Sequence, residues 1–229
     1  MPTFHTPRPV RVEIGVMLGN LSVTAEDRTD TVVTVTPTDP DDEADVTAAA
    51  ETRAESSGGT VSVKGPTFRK YIGPTGRSLS VDVAITLPTG SSLFAKGYGS
   101  ILNLTTTGRL DTCEFRTGAG RLVVDEAGSI RLRTDGDIVV ARAGGDVVAT
   151  TSTGNITIDE VSAGTVELKT SMGRIEVGVP EGTAALLDVQ TGFGSIRNHL
   201  DETGEPDPGD STVKVKARTS GGDIEIRRT

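Results

Sequence analysis

The chain has 229 residues, of which 34% are hydrophobic and only 3% aromatic, with no Trp, one Cys and a formal charge of −9. That length holds one substantial core, and this composition builds it from Val, Ile, Leu and Ala in thin layers rather than around large rings. Bases interleaved with acids, as in Arg174-Ile-Glu176 and Glu167-Leu-Lys169, disfavour nucleic acid and anionic membranes as partners, while the lone Cys113 precludes an internal disulfide or a cysteine zinc cluster.

Met1 to Val10 contains no apolar run of signal-peptide length, and nowhere do about 18 apolar residues follow one another. The expectation is a cytoplasmic protein with no direct membrane insertion. Val10, Val12, Ile14 and Val16 alternate with polar residues and glycine, which is the signature of a strand with one buried face. Gly19-Asn-Leu-Ser-Val23 and Thr31-Val-Val-Thr-Val35 read as further strands. At Asp39-Pro40 a capping carboxylate and a first-turn proline precede Asp41, Asp42, Glu43 and an Ala-rich stretch, predicting one short helix from Asp42 to Ala50. Ser57-Gly58-Gly59 is a hairpin turn into Thr60-Val-Ser-Val63, and residues 66–76 read as a loop. Leu79, Val81, Val83, Ile85 and Leu87 then form the clearest alternating strand, closed by Pro88-Thr-Gly90.

A regular array follows. From Gly120 to Val177 a glycine and two alternating apolar residues recur every eight to ten positions, as in Gly136-Asp-Ile-Val-Val, Gly154-Asn-Ile-Thr-Ile and Gly173-Arg-Ile-Glu-Val. Strands this short cannot bury an inner face alone and must stack on their neighbours. A longer period is marked by threonine ahead of glycine: Thr117/Gly120, Thr134/Gly136, Thr151/Gly154, Thr170/Gly173, Thr191/Gly194 and Thr219/Gly222. Plainer turns lie between them, so two strands make one coil, with these Thr and Gly residues at structural corners where stacked hydroxyls satisfy backbone amides. Ile130, Leu132, Ile138, Val140, Val147, Ala149, Ile156, Ile158, Val166, Leu168, Ile175 and Val177 are expected to point inward. Pro180 to Ala185 and His199 to Ser211 read as insertions, the second a mobile acidic loop. The last repeat, Gly222-Asp-Ile224-Glu-Ile226, is expected to form an edge strand blunted by Arg227 and Arg228.

The resulting expectation is an all-β protein, a β-solenoid or β-helix-like stack of short strands with one short helix near its beginning. It is read as a single β-strand-repeat domain over 1–229, with strands plus helix in 1–90 and the regular array in 91–229. An antiparallel β-sandwich or prism remains the alternative, because a turn every nine residues is also a hairpin spacing.

The Thr-Gly-x-Gly-x-(Ile/Leu)-x-(Val/Ile) repeats, joined to the Leu79-Ser-Val-Asp-Val-Ala-Ile-Thr-Leu-Pro88 strand, resemble a bacterial β-strand-repeat family. Its members are labelled candidate adhesins, or Toastrack-type domains, and are common in actinobacteria. The resemblance spans nearly the whole chain and implies a β-helix-like domain without known catalytic residues. It also implies ties to the cell envelope and, in some members, to signalling partners in envelope stress.

The residues themselves offer little chemistry. Only His5 and His199 could serve as a base; His5 lies in a Pro-flanked tail, and His199 is expected to pair with Asp201 or Glu202. Asp125, Asp135, Asp137 and Asp159 could form a carboxylate pair on a groove, but the aromatic platform of a sugar site is missing. Asp135-Gly-Asp137 and Gly144-Gly-Asp146 only approach a calcium nonapeptide repeat, whose equivalent corners carry Asn155, Thr165 and Arg174. No catalytic, cofactor or metal site is expected. The sequence therefore predicts a non-enzymatic protein-interaction scaffold whose partner is another protein or itself. The alternatives are a self-associating structural protein, using Val10 to Val16 at one end and Ile224 and Ile226 at the other, and a carbohydrate-active or carbohydrate-binding β-helix.

Overall fold

Apolar residues that alternate along the strands face inward, and the strands they define stack mostly in parallel. The computed structural model describes residues 1–16, 18–66, 79–96, 101–200 and 211–229. It is all-β and solenoid-like, with one helix among the described residues, and divides into two units, Met1–Gly120 and Arg121–Thr229. The predicted loop at residues 66–76, apart from Pro66, and residues 201–210 of the predicted insertion His199 to Ser211 lie outside the described residues.

In the first unit two layers of strands enclose Leu21, Val23, Val61, Val63, Val83, Ile85, Leu93, Leu104 and the ring of Phe115. One layer holds β2 (Arg11–Gly15), flanked in parallel by β6 (Thr60–Lys64) and β8 (Ser92–Lys96); β10 (Arg109–Arg116) adds in parallel to β8, and β5 (Arg53–Ser57) pairs antiparallel with β6. In the other, β3 (Leu18–Glu26) lies between β7 (Val81–Pro88) and β9 (Ile101–Thr107), both parallel to it, and β4 (Asp30–Pro37) is antiparallel to β7. The expected tail around His5 contains a strand, β1 (Thr3–His5), antiparallel to β4. Among the described residues antiparallel pairing is confined to β1, β4 and β5 with their partners.

Helix α1 spans Glu43–Glu51, one residue later at each end than expected. Two aspartates could have capped it. Asp42 does so, accepting from the amide of Ala44 at 2.8 Å, whereas Asp39 accepts from the amide of Asp41 in the preceding turn. The helix is fixed to the sheet by Asp45, a buried carboxylate that accepts from the amides of Ser80 at 2.7 Å and Asp39 at 3.1 Å.

Among the described residues every strand pairing within the second unit is parallel, so in this part the stacked solenoid is realised and the hairpin alternative is not. Strand β11 (Leu122–Arg133) bends between two layers: its first half pairs with β12 (Ile138–Ala143) and its second with β13 (Val147–Thr150). The first layer continues through β14 (Ile156–Val161) and β16 (Ile175–Val179), the second through β15 (Gly164–Met172). Register places like residues above one another. Leu122, Ile138, Ile156, Ile175 and Ile224 form one buried column, and Leu132, Ala149, Leu168 and Ala217 form another in which large and small residues alternate. All twelve residues expected to face inward are buried. Each fully buried Val, Leu or Ile contributes roughly 1.5–3 kcal/mol of transfer free energy.

The last coils do not stack in chain order. Strands β19 (Thr212–Gly221) and β20 (Ile224–Arg228) insert beneath β15 and β16, leaving the earlier β17 (Ala184–Phe193) and β18 (Ile196–Asn198) as the terminal rung. The expected edge at Ile224 and Ile226 is therefore corrected. Both residues are fully buried, Arg228 donates to the carbonyls of Pro180 and Thr183, and Arg227 lies 3.6 Å from Asp159. The physical reason is at Asn198, which occupies the register position where the neighbouring strand carries Ile226. An internal rung would bury its amide, and burying an unpaired polar group costs free energy. Val10 to Val16 are likewise no free end, since β2 has a neighbour on each side.

Asp45→Ala leaves two amides without their acceptor and is expected to lower the unfolding free energy by about 2 kcal/mol, whereas Asp45→Asn retains part of it; urea denaturation followed by circular dichroism measures both.

Candidate functional site

The corner residues of the second unit form a ladder of threonines and glycines. The Thr151 hydroxyl donates to the carbonyl of Gly136 at 2.7 Å, Thr170 to Gly154 at 3.0 Å, Thr219 to Gly173 at 3.1 Å and Thr191 to Gly222 at 2.8 Å. The ladder thus follows the spatial order of the rungs, not the chain order. Amides of Gly136 and Gly154 donate in turn to Thr134 and Thr151 of their own corners. Glycine is required by close approach. A Cβ at Gly154, Gly173, Gly222 or Gly194 would collide with the glycine carbonyl of the rung before it. In the first unit Thr117 accepts from the amide of Leu102 and donates to the carbonyl of Ala119, and a Cβ at Gly120 would meet the carbonyl of Leu102.

A second ladder runs through the residue after each corner glycine. Asp137 accepts from the amide of Asn155 at 2.8 Å, Asn155 from that of Arg174 at 2.9 Å and Asp223 from that of Ser195 at 2.8 Å. At the plainer turn Asp146 accepts from the amide of Thr165. These side chains cap the start of the next strand, which accounts for two of the aspartates that suggested a calcium repeat. The third, Asp135, accepts from the Ser152 hydroxyl at 2.6 Å. Among the described residues no group of three or more His, Cys, Asp or Glu is placed to hold a metal ion.

The remaining acids of the candidate groove are engaged with arginines. Arg142 reaches Asp125 at 3.0 Å and Glu126 at 3.2 Å, and its pKa is raised, first by the hydrogen bond to Glu126 and then by the charge of Asp125. Asp159 faces Arg227. Nothing in this arrangement pairs two free carboxylates across a cleft. His199 lies 3.6 Å from Glu225, a residue brought beside it by the inserted strand β20; Asp201 and Glu202, its expected partners, are outside the described residues. Cys113 is fully buried, and burial alone pushes its thiol up to about 12.

The terminal rung presents a different surface. Among the described residues β17 pairs with β19 alone, and β18 with β20 alone. Leu186, Phe193 and Ile196 are 57%, 85% and 44% exposed, and Leu187 and Val189, which continue the buried columns, are only half-buried. No sequence signal read one strand at a time marks this rung as terminal.

No protein-family model and no curated protein matches the chain. Solved structures do match. A candidate cell adhesion protein from Clostridium sporogenes is 10% identical with a TM-score of 0.46, the match covering 100% of this chain and 98% of that one. Candidate adhesins from Bacteroides fragilis and Parabacteroides merdae are 13% and 10% identical, with TM-scores of 0.38 and 0.40; each match covers 98% of this chain, and 95% and 94% of theirs. Among the described residues no helix is long and apolar enough to cross a membrane.

Two outcomes test this geometry. Thr170→Val, nearly isosteric, removes one buried hydroxyl bond and is expected to cost about 1–2 kcal/mol, with Thr170→Ser close to wild type and Gly173→Ala more damaging than either in thermal melts. Cys113 is expected to resist iodoacetamide until the protein unfolds. Because its folded pKa lies above the ordinary 9.0, the unfolded chain releases this proton first, so the Cys113 contribution to stability falls as pH rises from about 9 toward 12.

Proposed function

We propose that this protein is a non-enzymatic protein-interaction scaffold, acting in cell-envelope or surface processes as the sequence resemblance implies. The observation that carries the reading is the terminal rung, where an apolar strand ends the stack with Leu186, Phe193 and Ile196 in solvent. Repeat proteins finish their stacks with polar caps, and an edge strand is commonly blunted by Lys or Pro. Strand β17 has neither; Asp188 is its one charged residue. Such a surface gains free energy by being covered, and a protein strand or apolar face can cover it. The engagement of the groove acids in caps and ion pairs supports a binding rather than a hydrolytic role.

Self-association is the second reading, favoured by the same open edge, which one copy can offer to another. It replaces the ends predicted from sequence with β17 and β18.

The double variant Phe193→Lys/Ile196→Lys tests the reading. Affinity capture from the native host is expected to recover partners with the wild type and lose them with the variant, and equal recovery removes the terminal rung as the contact. Light scattering across a concentration series separates the two readings: a dimer that the variant abolishes supports self-association, and a strict monomer excludes it.

A further inference from the structure

The second layer of the second unit carries a charge that the chain as a whole does not. Five strands, in the order β11, β13, β15, β19 and β17, present outward the residues that alternate with the buried columns. Six of these are basic: Arg131, Arg133, Lys169, Lys214, Lys216 and Arg218. Two are acidic, Glu167 and Asp188, so the face carries +4 on a chain of −9. Along the sequence these cations are spread from Arg131 to Arg218 and interrupted by acids. Parallel stacking gathers them.

We infer that this face is a docking surface for an extended acidic polypeptide, an inference that rests on the scaffold reading and adds the chemistry of its partner. Three observations support it. First, the acids on the face reach only part of its charge: Lys216 lies 3.0 Å from Glu167 and Arg218 3.4 Å from Asp188, while Arg131, Arg133, Lys169 and Lys214 make no ion pair among the described residues. Second, Lys169 and Arg218 are direct register partners on adjacent strands. Like charges placed opposite each other are unfavourable in a sheet, and of this pair Arg218 alone has an acid in reach among the described residues, Asp188, so an anion laid beside Lys169 would offset the other charge. Third, the spacing suits a strand. Lys214, Lys216 and Arg218 project at every second residue of β19, roughly 7 Å apart, the interval between alternate side chains of any extended peptide. Glutamates or aspartates at alternate positions of such a peptide would meet the three cations in register.

Two shallow grooves on this face share Lys169 and Arg218; one is lined also by Thr150, Lys216 and the two paired acids Glu167 and Asp188, the other reaches Phe193 and Gln190. The outward rows themselves contain no aromatic residue on which bases could stack, which favours a peptide over single-stranded nucleic acid. The peptide reading also leaves the chain's overall charge in place, because a single cationic face is enough to attract an acidic segment at short range.

The test uses the full chain and a fluorescein-labelled peptide of about twelve residues with Glu and Thr alternating, sized to the strand spacing. Fluorescence anisotropy is expected to give binding that weakens as salt rises from about 0.05 to 0.5 M. The variant Lys214→Gln/Arg218→Gln is expected to weaken it at least about fivefold, and Arg131→Gln/Arg133→Gln to weaken it less. Arg142→Gln/Arg174→Gln, which removes the same charge from the opposite layer, is expected to leave binding unchanged. Thermal melts establish that each variant is folded; since all the altered side chains are on the surface, a variant that fails is replaced by the Thr substitution at the same positions, which also removes the charge and suits a strand. A peptide of the same composition with its glutamates in one block is expected to bind more weakly, and equal binding overturns the register argument. Tighter binding of a single-stranded oligonucleotide, of polygalacturonate or of anionic vesicles overturns the choice of partner, and no binding of any polyanion overturns the surface. Native partners captured equally by wild type and Lys214→Gln/Arg218→Gln remove this face while leaving the scaffold reading in force.

Discussion

The structure of the second unit depends on the meeting of a threonine hydroxyl and a glycine carbonyl at one corner of each coil. The carbonyl of one rung occupies the space that a side chain on the next glycine would fill, and the hydroxyl of the following corner is bonded to that same oxygen. Both relations fix where one coil sits on another. A slip of one residue would turn every inward side chain outward, so pinning the corner pins the columns of Ile, Val and Leu that stabilise the stack. The hydrogen bonds are individually modest, about 1 kcal/mol each. Their main effect is to select the register in which hydrophobic burial, the larger contribution, can be realised.

That division explains which features could be read from the sequence. The inward residues, the two-strand coil and the single helix follow from alternation, from glycine spacing and from the acids before an Ala-rich run, because each is a local property of the chain. The order of the final rungs is not local. Thr191/Gly194 and Thr219/Gly222 carry the same corner pattern, so the corners alone do not say which follows Gly173. The choice is made by what each coil would bury: Val213, Val215, Ala217, Ile224 and Ile226 make a complete apolar lining, whereas the rival coil brings Asn198 into the same row. The polar residue goes to the end of the stack. Comparing inner positions between repeats, instead of matching the corners, would have exposed the difference.

The candidate site residues show the same distinction. Asp137 and Asp146 look like ligands when counted, yet each sits one residue after a turn, where an exposed amide of the next rung needs an acceptor, and Asp223 holds the same position at the last corner. Asn155 serves in the same ladder, and its carboxamide shows that the position selects a short side-chain oxygen rather than a charge. Helix capping at Asp42 follows this rule as well. A substantial part of the acidity read from composition is therefore the by-product of satisfying backbone donors in a fold that is rich in corners.

Net charge is a poor guide to partners for the same reason. Acids concentrate where strands begin and beside arginines of the first layer, while six of the eight charged residues in the outward rows of the second layer are basic. Alternation of sign along the chain, as in Glu167-Leu-Lys169, describes neighbours on one strand. In a parallel stack the nearest outward neighbours belong to other rungs: Glu167 faces Lys216, and Lys169 faces Arg218. One register step thus sets an attractive pair beside a repulsive one. The attractive pair contributes to the fold; in the other, Asp188 offsets Arg218 at 3.4 Å while Lys169 has no acid within ion-pair distance among the described residues, in a row that elsewhere carries the neutral Thr150 and Gln190. A charge left uncompensated on the surface in this way is available to an anionic group from outside the molecule.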